Sequence, residues 1–216
     1  MPEPHEREAF IRANAQAARP PLVPEIELYL ASEVLPLWNK TEEIGTANLP
    51  PPYWAFAWPG GQALARYLLD HPETVRGKRV LDFGAGSGLV AIAAAKAGGS
   101  ATAADIDPLS IAAMTLNATL NRVAFTTIRD EVIGRSGPWD TILLGDMCYE
   151  RPLAERLLAW LRTLSQLRTE VLFGDPGRTY FPPSGLARLA TYRVPTTRDL
   201  EDREMRETSV YRLLRA

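Results

Sequence analysis

The chain of 216 residues is 46% hydrophobic, enough to bury one large core with some length left for an extension. Its 24 Lys and Arg against 26 Asp and Glu give a formal net charge of −2, which carries no electrostatic footprint for a nucleic-acid partner. A single cysteine and two distant histidines, His5 and His71, exclude a disulfide framework and a histidine metal site.

The N-terminus interleaves Glu3, Glu6 and Glu8 with Arg7 and Arg12, an acidic content that argues against a signal or transit peptide. No apolar run has transmembrane length, so a soluble cytoplasmic protein is expected. Residues 1–20 read as a helical or frayed lead. Residues 21–57 read as irregular, broken by prolines at 21, 24, 36 and 50–52 and anchored by Ile26, Leu28, Leu30, Leu37 and Trp38. The expected division is therefore an extension over 1–57 and one α/β domain over 58–216. Within that domain a helix is expected over Gly60–Leu69, then a strand through Val80, Leu81 and Phe83, and an alanine-rich helix from Leu89. A second strand ending at Asp105 and a helix over Pro108–Asn121 follow. Further strands are expected at Ala124–Ile128, Thr141–Leu144 and Val171–Phe173, with an amphipathic helix over Leu153–Leu164. After these come a short helix over Ser184–Ala190 and two last strands, Tyr192–Val194 and Ser209–Leu214. The charged stretch Arg198–Glu207 between them reads as a solvated loop or hairpin end. Strands alternating with helices give a doubly wound, Rossmann-like sheet, mostly parallel, with an antiparallel pair at one edge.

The densest signal is R-V-L-D-F-G-A-G-S-G-L-V-A-I-A-A-A-K-A-G-G-S-A-T-A-A-D-I-D at 79–107. Glycines at 84, 86 and 88 permit left-handed backbone and close approach of a ligand, beside the N–H groups of a helix start. Asp105, ending the next strand, suits the two hydroxyls of a ribose. The spacing is G-x-G-x-G rather than the dinucleotide G-x-G-x-x-G. Asp82, two residues before the first glycine, would repel a pyrophosphate but serve a ligand carrying an amino group and a sulfonium. The cofactor expected is S-adenosylmethionine, with NAD or a turn used only for packing as alternatives.

Ligands in such sheets bind at the carboxyl ends of the strands, which sorts the remaining candidates. Asp107, before Pro108, is expected to cap the following helix. Asp130 could accept from an adenine amino group or be a plain loop residue. Asp146 ends the fourth strand beside the first, so Asp146-Met147-Cys148-Tyr149 is the candidate acceptor site. Cys148 has no histidine near it in sequence and is not expected to act as a nucleophile. Trp58, in the aromatic stretch 53–58, either walls the cofactor pocket by cation–π attraction or staples the extension to the core.

Taken together, P-P-Y-W-A-F-A-W-P-G-G-Q-A-L-A-R-Y-L-L, V-L-D-F-G-A-G-S-G, A-A-D-I-D-P, N-A-T-L-N at 117–121, G-D-M-C-Y-E and L-F-G-D-P-G-R resemble one family. That family is the lysine methyltransferases of the electron transfer flavoprotein β-subunit, in particular bacterial members, over about residues 20–214. The resemblance implies a class I methyltransferase fold, S-adenosylmethionine as methyl donor, a protein lysine as acceptor, and a monomer in the bacterial cytoplasm. It places Asp146 and Tyr149 in a D/E-x-x-Y element that shapes the lysine site. Asp146 would attract and orient the lysine, and Tyr149 would aim its lone pair. A ribosomal-protein lysine or a small-molecule amine is the alternative acceptor, and a non-catalytic nucleoside-binding partner protein is the alternative class.

Overall fold

The computed structural model describes residues 3–32, 37 and 51–215. The expected anchor Trp38 lies outside the described residues. Seven strands form one sheet: β3 (Arg79–Phe83), β4 (Ser100–Ala104), β5 (Thr126–Ile128), β6 (Thr141–Gly145), β7 (Glu170–Asp175), β8 (Leu186–Pro195) and β9 (Met205–Leu213). Their order is β5-β4-β3-β6-β7-β9-β8. All pairings from β5 to β7 are parallel, and β9 runs antiparallel between β7 and β8. The chain leaves β3 for β4 on one side and returns to β6 on the other, which puts the switch point at the carboxyl end of β3.

Period-two alternation divides the core. Val80, Leu143, Leu172 and Val210 face the side covered by α2 (Pro59–Asp70) and α3 (Leu89–Lys96). Leu81, Ile142, Leu144, Val171 and Phe173 face the side covered by α5 (Arg151–Gln166) through Leu157, Trp160 and Leu161. Both faces being covered explains why these strands read as continuous apolar runs. Helix α3 is buried along Leu89–Ala94, the expected position of a helix that is apolar all round.

The lead over residues 1–20 contains a helix, and part of the stretch read as irregular forms a strand. Helix α1 (Pro4–Asn14) opens with a capping box between Glu3 and Glu6. Strands β1 (Gln16–Ala18) and β2 (Leu28–Leu30) pair antiparallel. The other side of β2 is held by α4 (Pro108–Asn121). Tyr29 N–H donates to Asn117 Oδ1 at 2.8 Å and Glu27 N–H donates to Asn121 Oδ1 at 3.0 Å. Two asparagines four residues apart share one helix face, so N-A-T-L-N supplies side-chain partners where a strand would supply backbone. Ile11, Ala15 and Trp54 complete this layer against Leu109, Ala112 and Leu116.

Two expectations for the C-terminal third are corrected. Ser184–Ala190 is not a helix: β8 begins at Leu186 and pairs with β9 along its whole length, with one irregularity at Arg188/Ala190. Gly185 has φ +78°, which breaks a helical start, and cross-strand pairing overrides the alanine and leucine propensity. Arg198–Glu207 is not wholly a solvated loop either. A short helix, α6 (Arg198–Glu201), leads into β9, and Glu201 is buried.

Candidate active site

A cavity of about 360 Å³ opens at the carboxyl ends of β3, β4 and β6, within the size range of small-molecule sites. Eight of the residues singled out in the sequence line it, Trp58, Asp82, Gly84, Gly86, Asp105, Asp130, Asp146 and Tyr149, while Gly88 and Cys148 do not.

On the glycine side, the turn is tied to the sheet. Gly84 and Gly86 have φ +65° and +51°, and Gly84 and Ala85 both donate their N–H to Ala104 O. A Cβ on Gly84 would lie 2.3 Å from Met147 Sδ, so the glycine is what leaves room for that side chain over the turn. Asp105 accepts Gly86 N–H and Asp107 N–H, both at 2.9 Å, which fixes its carboxylate at the rim with lone pairs left for a diol. Burial pushes its carboxyl above the ordinary range. Asp107 caps α4 as expected, accepting from Leu109 N–H and Ser110 N–H.

Asp82 does more than face the cavity. Gly88 offers no side chain at the start of α3, and Asp82, from the end of β3, accepts Ala91 N–H at 2.8 Å instead. Burial raises its carboxyl to about 8, and a bound ammonium group would favour its charged form. Ile106, the residue between the two acids, is 66% exposed although it lines the cavity. That apolar face suits a planar base, and the sequence reading missed it. Asp130, by contrast, is bound to exposed Arg135 and to Glu131 N–H, and the guanidinium holds its carboxyl below the ordinary range.

The acceptor side is built on close contacts. Gly145 and Gly174 pair across β6 and β7, and the N-terminus of α2 descends onto them at Gly60 and Gly61. Trp58 precedes that helix, its Nε1 donating to Tyr53 O at 3.0 Å. Tyr53 contacts both Trp58 and Tyr149, with ring centroids 5.7 and 5.5 Å apart. Trp58 therefore lines the cavity and braces the aromatic segment before the sheet.

Asp146 is nine-tenths buried and has φ +58°, a backbone conformation that costs a non-glycine residue roughly 1–3 kcal/mol. Its carboxylate accepts Gly61 N–H at 3.1 Å and two N–H groups of Arg178, Nη2 at 2.7 Å and Nε at 3.1 Å. Arg178 also donates to Glu201, and its guanidinium sits 5.7 Å from the Trp58 ring centroid. Burial raises the Asp146 carboxyl while Arg178 pulls it back. Asp175, at the end of β7, accepts Gly177 N–H and Arg178 N–H, both at 2.7 Å, and so shapes the turn that presents Arg178. Arg178, Glu201 and Asp175 were not picked out from the sequence as site residues. The repeat of Gly-Asp at 145–146 and 174–175 was the available signal for Asp175. Cys148 is fully buried and burial raises its thiol to about 12, so it has no thiolate to offer. Among the described residues, no group of three or more His, Cys, Asp or Glu could hold a metal ion.

The cavity fits the expected cofactor. It offers a left-handed glycine turn, a carboxylate for a ribose, an apolar face for a base and a buried acid for an amino group, with aromatic rings at the far end.

Comparison with known proteins follows this division. A family model described as ribosomal protein L11 methyltransferase (PrmA) matches residues 63–143, the glycine-turn half. The electron transfer flavoprotein beta subunit lysine methyltransferase of Danio rerio is 43% identical over 199 residues, covering 88% of this chain and 76% of its own. The Homo sapiens protein of the same description is 44% identical over 181 residues, covering 82% and 68%. Among solved structures, magnesium protoporphyrin IX methyltransferase from Synechocystis PCC 6803 with bound SAM superposes at TM-score 0.54. It is 17% identical and covers 72% of this chain and 79% of its own, a likeness of fold.

Proposed function

The chain belongs to the electron transfer flavoprotein β-subunit lysine methyltransferase family, and from that premise we propose that it transfers methyl groups from S-adenosylmethionine to lysine of that subunit. The observation that carries the reading is one cavity with two unlike ends. The glycine turn and Asp105 suit a nucleoside, and an aromatic mouth with Asp146 and Tyr149 suits an amine.

Gly84 and Gly86 let the cofactor approach the backbone, Asp105 accepts from its ribose and Asp82 faces its amino group. Asp130 would accept from the adenine amino group at the rim with the lone pairs that Arg135 and Glu131 N–H leave, and Trp58 would wall the sulfonium end. When bound, the cofactor would supply an electrophilic methyl on sulfur, so that the lysine nitrogen would form the new N–C bond with its lone pair while the S–C bond breaks and its electrons remain on sulfur in S-adenosylhomocysteine. The protein must present that lone pair. A lysine amine with pKa about 10.4 costs roughly 4–5 kcal/mol to deprotonate at pH 7. The rings of Tyr53, Trp58 and Tyr149 exclude water from it, which disfavours the ammonium form. Tyr149 aims the nitrogen in line with the breaking bond. Asp146 shapes the acceptor end as one half of its ion pair with Arg178. The protein works as a monomer in the bacterial cytoplasm without nucleic acid. Its net charge of −2 supports the absence of nucleic acid. No described helix is long and apolar enough to cross a membrane.

The test incubates the purified protein with methyl-labelled cofactor and recombinant flavoprotein. Label is expected on the β-subunit. Asp146→Asn should lower transfer by about 10²-fold and leave cofactor affinity, measured by titration calorimetry, nearly unchanged. Label confined to a ribosomal protein or a small amine would overturn the acceptor. Equal loss of transfer and affinity would make Asp146 a cofactor ligand.

A further inference from the structure

An acceptor site for a lysine is expected to leave its carboxylates open to the incoming ammonium. This one does not. Asp146 Oδ1 and Glu201 Oε1 converge on the same nitrogen, Arg178 Nη2. The guanidinium carrying it is 18% exposed and lies over Trp58. Both carboxylates and one face of the Trp58 ring, groups that attract an ammonium ion, are therefore already occupied by a cation that never deprotonates.

We propose that Arg178 is a positioning residue that reserves the acceptor-site carboxylates. It fills the cation site between Asp146 and Glu201, so the substrate lysine cannot settle there as an ammonium ion and enters as the neutral amine that methyl transfer needs.

The charges around the site agree. Besides Asp146, the end of β6 contributes Tyr149 and Glu150, and β7 contributes Asp175 next to the turn that carries Arg178. From the C-terminal side come Glu201 on α6 and Arg206 on β9, with Arg206 Nε 3.6 Å from Glu201 Oε2. Tyr53 approaches from the N-terminal aromatic segment and feels both Glu150 and Arg178. Asp82 and Asp105 belong to the nucleoside end of the cavity. Asp146 and Glu201 are thus matched by the guanidinium groups of Arg178 and Arg206, while Asp175 is tied to backbone N–H groups of the turn and Glu150 lies beyond the pair. Removing Arg178 would leave Asp146 and Glu201 separated by the reach of one nitrogen, an ammonium site whose occupant would be stabilised in its charged, unreactive form. Asp175 and Leu200 hold this arrangement from either side. The first accepts Arg178 N–H, and the second packs into the N-terminal layer next to Glu201.

The inference rests on lysine methylation being the reaction, and wild-type transfer to the flavoprotein tests that reading by itself. Absence of wild-type transfer would overturn the reading and the inference with it. Where transfer is found, kcat is measured from about pH 6 to about pH 10 with both substrates saturating, so that the rising limb reports the amine within the complex. Arg178→Met should move that limb up by about one pH unit or more, with transfer recovering in alkaline buffer. Arg178→Lys keeps the charge and should keep the wild-type limb at reduced kcat. Glu201→Gln should move the limb the other way. If the limb stays in place in Arg178→Met while kcat falls by one factor at every pH, Arg178 is only structural and the proposal fails. If Arg178→Met does not fold by circular dichroism, Glu201→Gln decides. A downward shift supports the proposal, and an upward or absent shift overturns it.

Discussion

Gly60 and Gly61 are adjacent in the first turn of α2, and the structure gives them opposite responses to the same substitution. A Cβ on Gly60 would stand 2.1 Å from Gly174 O and 2.5 Å from Asp146 Oδ2. Non-bonded atoms rest at about 3.5–4.0 Å, so α2 would have to lift by more than 1 Å. The obstacle is backbone, which places the cost at the upper end of the range for overpacking, about 3 kcal/mol. Replacing a helical glycine returns about 0.5–1 kcal/mol, leaving Gly60→Ala destabilised by roughly 2–2.5 kcal/mol. For a chain of this size each kcal/mol moves Tm by about 2–4 °C, so a fall of about 4–10 °C is expected. A Cβ on Gly61 would meet Leu89 Cδ2 at 3.8 Å and Val90 Cγ2 at 4.0 Å, which is ordinary contact. Gly61→Ala should therefore raise Tm by about 1–4 °C. Thermal unfolding followed by circular dichroism compares the two directly. Shifts of the same sign, or a Gly60→Ala protein within about 1 °C of wild type, would refute the packing argument.

Two further outcomes are expected. Asp105→Asn removes a charged acceptor at the cofactor end; such hydrogen bonds are worth about 1.5–3 kcal/mol, so the cofactor Kd should rise roughly 10- to 150-fold with kcat at saturation little changed. An unchanged Kd in calorimetry would rule out the ribose role. Asp175, raised by burial to about 6, holds a proton in the folded state that the unfolded chain has released above about pH 4. Its contribution to stability must therefore fall as pH rises from about 4 to about 6, and stay level above that. Asp175→Asn lacks this loss, so its Tm should gain on wild type across that window. A difference constant with pH, or one that shrinks, would contradict the raised carboxyl.

The glycine-turn end of the cavity was legible because it is local. Gly84, Gly86 and Asp105 lie within 22 residues, and each needs only its own backbone conformation and strand position to line the cavity. Helix α4 was readable from Pro108 to Asn121 for the same reason, since Asp107 caps it from the adjoining position. The acceptor end is assembled from distant pieces. Arg178 meets an aspartate 32 residues earlier and a glutamate 23 residues later, and nothing in either segment marks the other. Glu201 stands in a run of charges, D-L-E-D-R-E, that resembles solvated surface until β9 returns it to the sheet. Strand β8 was misread because leucine and alanine favour a helix wherever no partner strand is in view. Strand β2, three residues long, is held by Asn117, and the residue before it by Asn121, both about 90 residues away, and β1 pairs with β2.

The repeated Gly-Asp explains why the two ends differ in kind. Gly145 and Gly174 sit side by side in register, and their missing side chains admit the N-terminus of α2. The aspartates that follow then diverge. Asp146 turns into the left-handed region to take Gly61 N–H and the guanidinium, while Asp175 folds the turn that delivers the same guanidinium. One dipeptide used twice thus fixes helix packing, the aromatic wall beginning at Trp58, and the ion pair facing the acceptor. Changes at the glycine turn can alter cofactor affinity through a loop and leave the core intact. At the other end Asp146, proposed to shape the acceptor site, also holds α2 on the sheet through Gly61 N–H, so substitution there requires repacking of α2.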